Sequence, residues 1–233
     1  HLDESFSGTI YRVAPKGFKP KIPKVDLTNI NGQIMALRSP AINTRYLGFR
    51  SLKSRGEKAS NFVFKQLDDA NKWIAARAVW LLPYMGDQGI DACIKMLEDE
   101  NSDQRIVAYR SLHRAGHDMI PHARRMCKDK SPQVRREIAL SLRDLPAEKT
   151  KDIFIELAKR CDTTDKNSLE AIGLGAAKQE SIIWKAIKNE LHPDSSDKWS
   201  DHFARLTWRL WGAASVNDLK ARITNNSLSL EKR

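Results

Sequence analysis

The chain has 233 residues, of which 41% are hydrophobic and 30% charged, and it carries a formal net charge of +11. That composition is too apolar for wholesale disorder and supplies enough core for one large domain or a stack of small units. No apolar run reaches the roughly 18 residues that a membrane-spanning helix requires, the longest candidates being broken by Arg77 or Lys95.

The first residue is His1, with no methionine and no signal-like apolar stretch before it, and the expectation is that the numbering starts inside a longer precursor. Residues 8–23, GTIYRVAPKGFKPKIP, differ from everything after them. A short β-type run (Thr9, Ile10, Tyr11, Val13) is followed by Pro15, Gly17, Pro20 and Pro23 among Lys16, Lys19, Lys21 and the adjoining Lys24. Such lysine and proline density predicts an extended linker, and the expected organisation is an extended segment over 1–28, a repeat domain over 29–224 and a flexible tail over 225–233. The positive charge concentrates at this end, residues 1–60 holding 11 Lys/Arg against 4 Asp/Glu.

From about Asn29 the sequence is helical and periodic. The segments starting at Asn43, Trp73, Asp103 and Gln133 advance by a constant step of about thirty and align column by column. One column reads Arg45, Ala75, Arg105, Arg135; a second reads Leu52, Leu82, Leu112, Leu142; a third reads Gly56, Gly86, Gly116, Pro146. An earlier helix in each unit contributes the column Leu37, Leu67, Leu97, Cys127, Leu157, Ile187. A fixed period of this size marks stacked supersecondary units, none able to bury its apolar face alone. Within a unit the apolar residues recur every three or four positions, as in Ile106, Tyr109, Leu112, which specifies helices. Turn residues in EDENSDQ and KDKSPQ supply N-caps, and the glycines suit C-caps.

The boundaries DKSPQVRREIALSL (129–142) and DENSDQRIVAYRSL (99–112) resemble those of HEAT repeats, of the short bacterial variety. The fold that resemblance implies is an all-α, right-handed α-solenoid of about six two-helix repeats. It also implies a structural ladder in which the arginine after each turn, here Arg45, Arg105 and Arg135, pairs with a turn aspartate, here Asp99 or Asp129. Later units are less regular: Asp165 falls in the arginine column of a thirty-residue step, and residues 195–212 concentrate Trp199, Trp208 and Trp211. Terminal repeats lack one neighbour, and these tryptophans are expected to cap the core.

Taken with the repeats, Gly8, Ile10, Tyr11, Arg12, Val13, Pro15 and Gly17 resemble the last propeller strand of bacterial multidomain membrane-bound dehydrogenase or haem-binding CxxCH proteins. In those, a sorbosone-dehydrogenase-like β-propeller precedes HEAT-like repeats and a cytochrome c domain. The run Ala76–Leu82 and the pattern Asp197, Trp199, Ser200, Phe203, Leu206, Trp208, Arg209, Leu210 extend the likeness over nearly the whole chain. The resemblance implies a periplasmic or cell-surface location. It transfers no catalytic, cofactor or metal residue, because propeller chemistry and CxxCH lie outside this sequence.

Candidate chemistry within the chain is sparse. Cys93, Cys127 and Cys161 are far apart with no CxxC, which favours small buried hydrophobes over a metal cluster or a disulfide. AIGLGAAK (171–178) has no preceding strand to make it a phosphate loop. His113 and His117 have i, i+4 spacing, but Gly116 marks a helix end between them. The expected function is a non-catalytic scaffold without cofactor, a monomer that docks other domains of its parent or an acidic protein or carbohydrate partner. By HEAT analogy the second helices line the concave face and present Arg50, Arg77, Trp80, Tyr84, Arg110 and Arg114. The alternatives are a HEAT-like DNA-binding protein or DNA glycosylase, and a direct role in haem or electron transfer. Against nucleic acid stands the placement of the charge on the leading segment instead of on successive repeats.

Overall fold

The computed structural model describes residues 13–19, 24–191 and 195–232. The expected β-type residues Thr9, Ile10 and Tyr11 lie outside these; Val13–Lys19 form a turn in which the Phe18 amide donates to the Pro15 carbonyl. The segment before the first helix is tied to it. Gln33, buried, donates to the Leu27 carbonyl at 2.7 Å and accepts from Arg55 Nε at 2.7 Å, while Arg55 also donates to the Thr28 carbonyl.

Among the described residues the architecture is all-helical, a stack of six helix pairs closed by one more helix. The first helices of the pairs are α1 (Ile30–Arg38), α3 (Ser60–Phe64), α5 (Asp87–Lys95), α7 (Ile120–Met126), α9 (Ala147–Arg160) and α11 (Glu180–Leu191). The second helices are α2 (Ile42–Arg55), α4 (Lys72–Val79), α6 (Ser102–Ala115), α8 (Pro132–Ser141), α10 (Lys166–Gly175) and α12 (Asp201–Arg209), and α13 (Val216–Ile223) comes last. Second helices pack on second helices along α4, α6, α8, α10 and α12, and first helices on first helices along α7, α9 and α11. The result is the two-layered α-solenoid that the repeat predicts.

The core is the interlayer. Leu52, Leu82, Leu112 and Leu142 are all buried, as are Leu37, Leu97, Cys127, Leu157 and Ile187 of the other column, with Leu67 partly so. In the first four pairs the joint between the two helices repeats one hydrogen bond. The Ser39 hydroxyl and the Asp69, Asp99 and Asp129 carboxylates accept from the backbone amides of Ala41, Asn71, Asn101 and Ser131, each two residues on, at 2.7–3.2 Å. Those four donors are the N-caps of α2, α4, α6 and α8. Such local bonds hold the chain non-helical for two residues and then release it into the next helix.

The thirty-residue step holds for four units and then fails. Second helices begin at 42, 72, 102 and 132, but α10 begins at 166. The cause is α9, with 14 residues against the 7 of α7. Asp165 is therefore not in the arginine column. It is the N-cap of α10, accepting from the Asn167 and Ser168 amides, and it pairs with Arg136 at 3.0 Å.

The expected tryptophan cap is also corrected. Trp199 is buried edge-to-face against Phe203, but Trp208 and Trp211 are 67% and 68% exposed. Helix α12 spends its inward stripe on Phe203, Leu206, Thr207 and Leu210, and a residue two positions beyond Leu206 points away. Arg222 of α13 closes this end, buried, donating to the Ser196 carbonyl at 2.6 Å and lying over the Trp199 ring.

The Asp165 carboxylate makes the start of α10 acid-sensitive. The Ser168 hydroxyl, followed by the Asn167 and Ser168 amides, holds Asp165 below the ordinary carboxylate value of 3.8. A group depressed on folding adds stability above its unfolded value, lost as pH falls through the folded one. Asp165→Asn is thus expected to melt below wild type at about pH 6 and to converge on it near pH 2, as thermal melts at the two pH values would show.

Candidate interaction groove

Helix α2 lies unusually close to α1 because it carries Gly48 at the crossing. A Cβ there would stand 2.5 Å from the Leu37 amide nitrogen and 2.7 Å from the Gln33 carbonyl oxygen. With Gly48 and Leu52 facing inward, the stripe Ile42, Arg45, Tyr46, Phe49, spaced i, i+3, i+4, i+7, is turned outward. Arg77 and Trp80 come next, on and just beyond α4, and then Arg114 on α6. With Leu37, these residues line an open groove of about 380 Å³ that runs across three consecutive second helices.

The groove joins guanidinium groups to aromatic faces. The Arg114 guanidinium sits 5.7 Å from the centre of the Trp80 ring, and at the flank Arg50 sits 5.8 Å from that of Tyr46. Behind it Phe49 meets Tyr84 edge-on at 6.3 Å, and the Tyr84 ring carries Lys53 at 4.0 Å on its face. Arg77 is fixed by donating to the Leu37 and Ser39 carbonyls at 3.0 and 3.4 Å. Burial, and then the positive charge of Arg45, lower its pKa from the ordinary arginine value. Two cations thus share this space. Among the described residues neither Arg45, Arg77 nor Arg114 lies within salt-bridge distance of a carboxylate.

The arginines further along the same row of helices are different. Arg110 pairs with Glu137, Arg136 with Asp165 and Arg209 with Glu170. Of the six positions expected to face a partner, the structure gathers Arg77, Trp80 and Arg114 into the groove, sets Arg50 and Tyr84 beside it, and places Arg110 in a separate depression with its carboxylate. Tyr46, Phe49 and Ile42 are groove residues that the sequence pattern did not single out. Their spacing has the period of an ordinary core stripe, and only their offset from the Leu52 column separates them from one.

The ladder arginines fasten the joints. Arg105 makes a two-pronged pair with Asp129 at 2.7 and 2.8 Å and also donates to the Asp99 and Glu100 carbonyls. Arg135 reaches only carbonyls, those of Asp129, Lys130 and Arg160. Lys159 stands where its carboxylate would be, 24 residues on, the offset of Asp129 from Arg105. Arg45 donates to the Pro40 carbonyl, since Asp69 at the same offset pairs with Arg38. Arg45 therefore faces the groove with its charge uncompensated. The three cysteines are free; burial pushes the Cys93 and Cys161 thiols up to about 11 and raises that of Cys127.

The family model for HEAT repeats matches residues 90–173, which run from α5 through α10. No curated protein matches the chain. Most of the groove, on α2 and α4, lies upstream of the matched repeats.

Proposed function

We propose that this α-solenoid, with HEAT repeats over residues 90–173, is a non-catalytic interaction module that docks another polypeptide across α2, α4 and α6. The observation carrying this reading is the convergence of Arg45, Arg77 and Arg114, without carboxylate partners among the described residues, on a groove floored by Tyr46, Phe49 and Trp80. Arginine and aromatic side chains that desolvate together are the usual anchors of protein interfaces. The wider setting of the proposal is a larger exported, haem-containing dehydrogenase-like parent in which these repeats space a propeller from a cytochrome. Its support is the likeness of the leading segment to a closing propeller strand, joined to a helical repeat. A DNA-binding reading draws less support: a duplex needs cations on successive units to track its phosphates, and here the later arginines of the row are neutralised by carboxylates.

The test is a selection from a random-peptide display library on the folded chain, subtracted against an Arg45→Glu/Arg114→Glu double variant. Selected peptides are expected to lose at least about tenfold in affinity on the variant. Binders that hold equally well to both proteins would refute docking in the groove.

A further inference from the structure

We infer that the groove is selective for an acidic polypeptide segment, one whose carboxylates recur at about every third residue, with apolar side chains between them, over about seven residues. This rests on the docking reading and adds the chemistry of the partner. The groups lining the groove decide what a ligand must supply. Its charged groups are the guanidinium groups of Arg45, Arg77 and Arg114, and no Asp, Glu, Asn or Gln lines it. Guanidinium is donor-only, and Trp80 adds a further donor, so the Tyr46 hydroxyl is the one side-chain acceptor among the lining residues. The Leu37 carbonyl is already occupied by Arg77. A carbohydrate brings hydroxyl donors that would be buried here without acceptors, at a cost for each. A carboxylate brings acceptors only and matches guanidinium in a two-pronged geometry.

The mutual repulsion of Arg45 and Arg77 points the same way. Burial and then Arg45 lower the Arg77 pKa, and an anion between the two guanidinium groups relieves the second of these. The apolar part of the ligand is set by the rings of Tyr46, Phe49 and Trp80 and by Ile42, which is 69% exposed at the groove. Nucleotide strands could stack on such rings, but the phosphate track they require is cut off where Arg110 is held by Glu137.

The helices set the spacing. Arg45, Arg77 and Arg114 stand on three consecutive second helices, and packed helices lie about 8–10 Å apart. A chain in the polyproline-II conformation, with about three residues per turn and about 3.1 Å per residue, returns a side chain to the same face every third residue, so one helix-to-helix step spans about three residues. Acidic residues at i and i+3, with a Leu or Phe between them over Trp80, therefore fit the lining.

The test uses synthetic fluorescent peptides of about seven residues with Glu at about three-residue steps and Phe between them, and the same peptides with every Glu replaced by Gln. Fluorescence anisotropy on the wild-type chain is expected to show the Glu peptide binding at least about tenfold tighter than the Gln peptide. That advantage is expected to shrink at high salt and to vanish on an Arg45→Gln/Arg114→Gln variant whose helical circular dichroism is unchanged. Arg110→Gln, off the groove, is expected to keep it. Equal binding of both peptides, lost on the double variant, would overturn acidic selectivity while sparing docking. An oligogalacturonate or an oligothymidylate binding as tightly as the Glu peptide would also overturn it, as would no binding of the Glu peptide where library-selected peptides do bind.

Discussion

Asp129→Ala is expected to destabilise the central repeats by about 3–5 kcal/mol, the usual result of removing one partner from a buried ion pair. The side chains of Arg105 and Asp129 are 5% and 11% exposed, so little solvent screens the pair or rescues the arginine. Arg105 keeps its bonds to the Asp99 and Glu100 carbonyls, which places the loss toward the lower end of that range. Asp129 also closes a joint by accepting from the Ser131 amide. The control is Asp99→Ala, whose carboxylate closes the equivalent joint to Asn101 without an ion pair; it is expected to cost about 1 kcal/mol, as loss of a local capping bond does. Native-state hydrogen exchange of amides in α6 and α8 is the measurement. If Asp129→Ala and Asp99→Ala lower protection equally, the pair contributes nothing beyond the turn. Replacing both partners, as Arg105→Met/Asp129→Leu, is expected to recover most of the loss, because a well-packed apolar pair removes the stranded charge.

Phe154→Ala is expected to cost about 3–5 kcal/mol, the range for deleting a buried aromatic ring. Phe154 is 1% exposed at the middle of α9. Its ring tip lies against α10, where a Cβ on Gly175 would come within 3.2 Å of it and within 2.0 Å of the Ala139 carbonyl oxygen. A backbone so close on one side cannot move in to fill the void. Since each unit of a stacked array touches only its neighbours, the damage stays local. Limited proteolysis is expected to cut first within residues 147–191, while the N-terminal units remain intact. Simultaneous loss of all units would show instead that the array unfolds as one body.

The four regular units were legible because two independent columns, Leu52 to Leu142 and Leu37 to Cys127, keep one period and are buried throughout except at the half-buried Leu67. The slip at the fifth unit was not, although a signal existed. A thirty-residue step would put the N-cap of α10 at Cys161, which has no side-chain oxygen to offer, whereas Asp162 and Asp165 both bond the amides after them. The extra length of α9, packed against α7 and α11, carries the start of α10 past that position. For the groove, the HEAT analogy reached Arg77, Trp80 and Arg114. It missed Tyr46 and Phe49 because an outward aromatic stripe and an inward one share a period. The approach of α2 to α1 at Gly48 is what turned this one outward. The exposed Trp208 and Trp211 show the converse error, large apolar residues assigned to a core cap because a terminal repeat lacks one neighbour.

The recurring side-chain-to-amide bond at residues 39, 69, 99 and 129 makes the seams inside the first four units, between the two helices of each, chemically alike. A segment cut at two such seams carries matching ends, and a copy inserted at a third would meet the same bond on either side. The array is thus open to lengthening by duplication in its first half, whereas beyond residue 147 the longer α9 breaks the interchange and fixes the phase of the later helices. A partner that reads three neighbouring helices would meet a changed surface in a lengthened copy without any alteration of the joints.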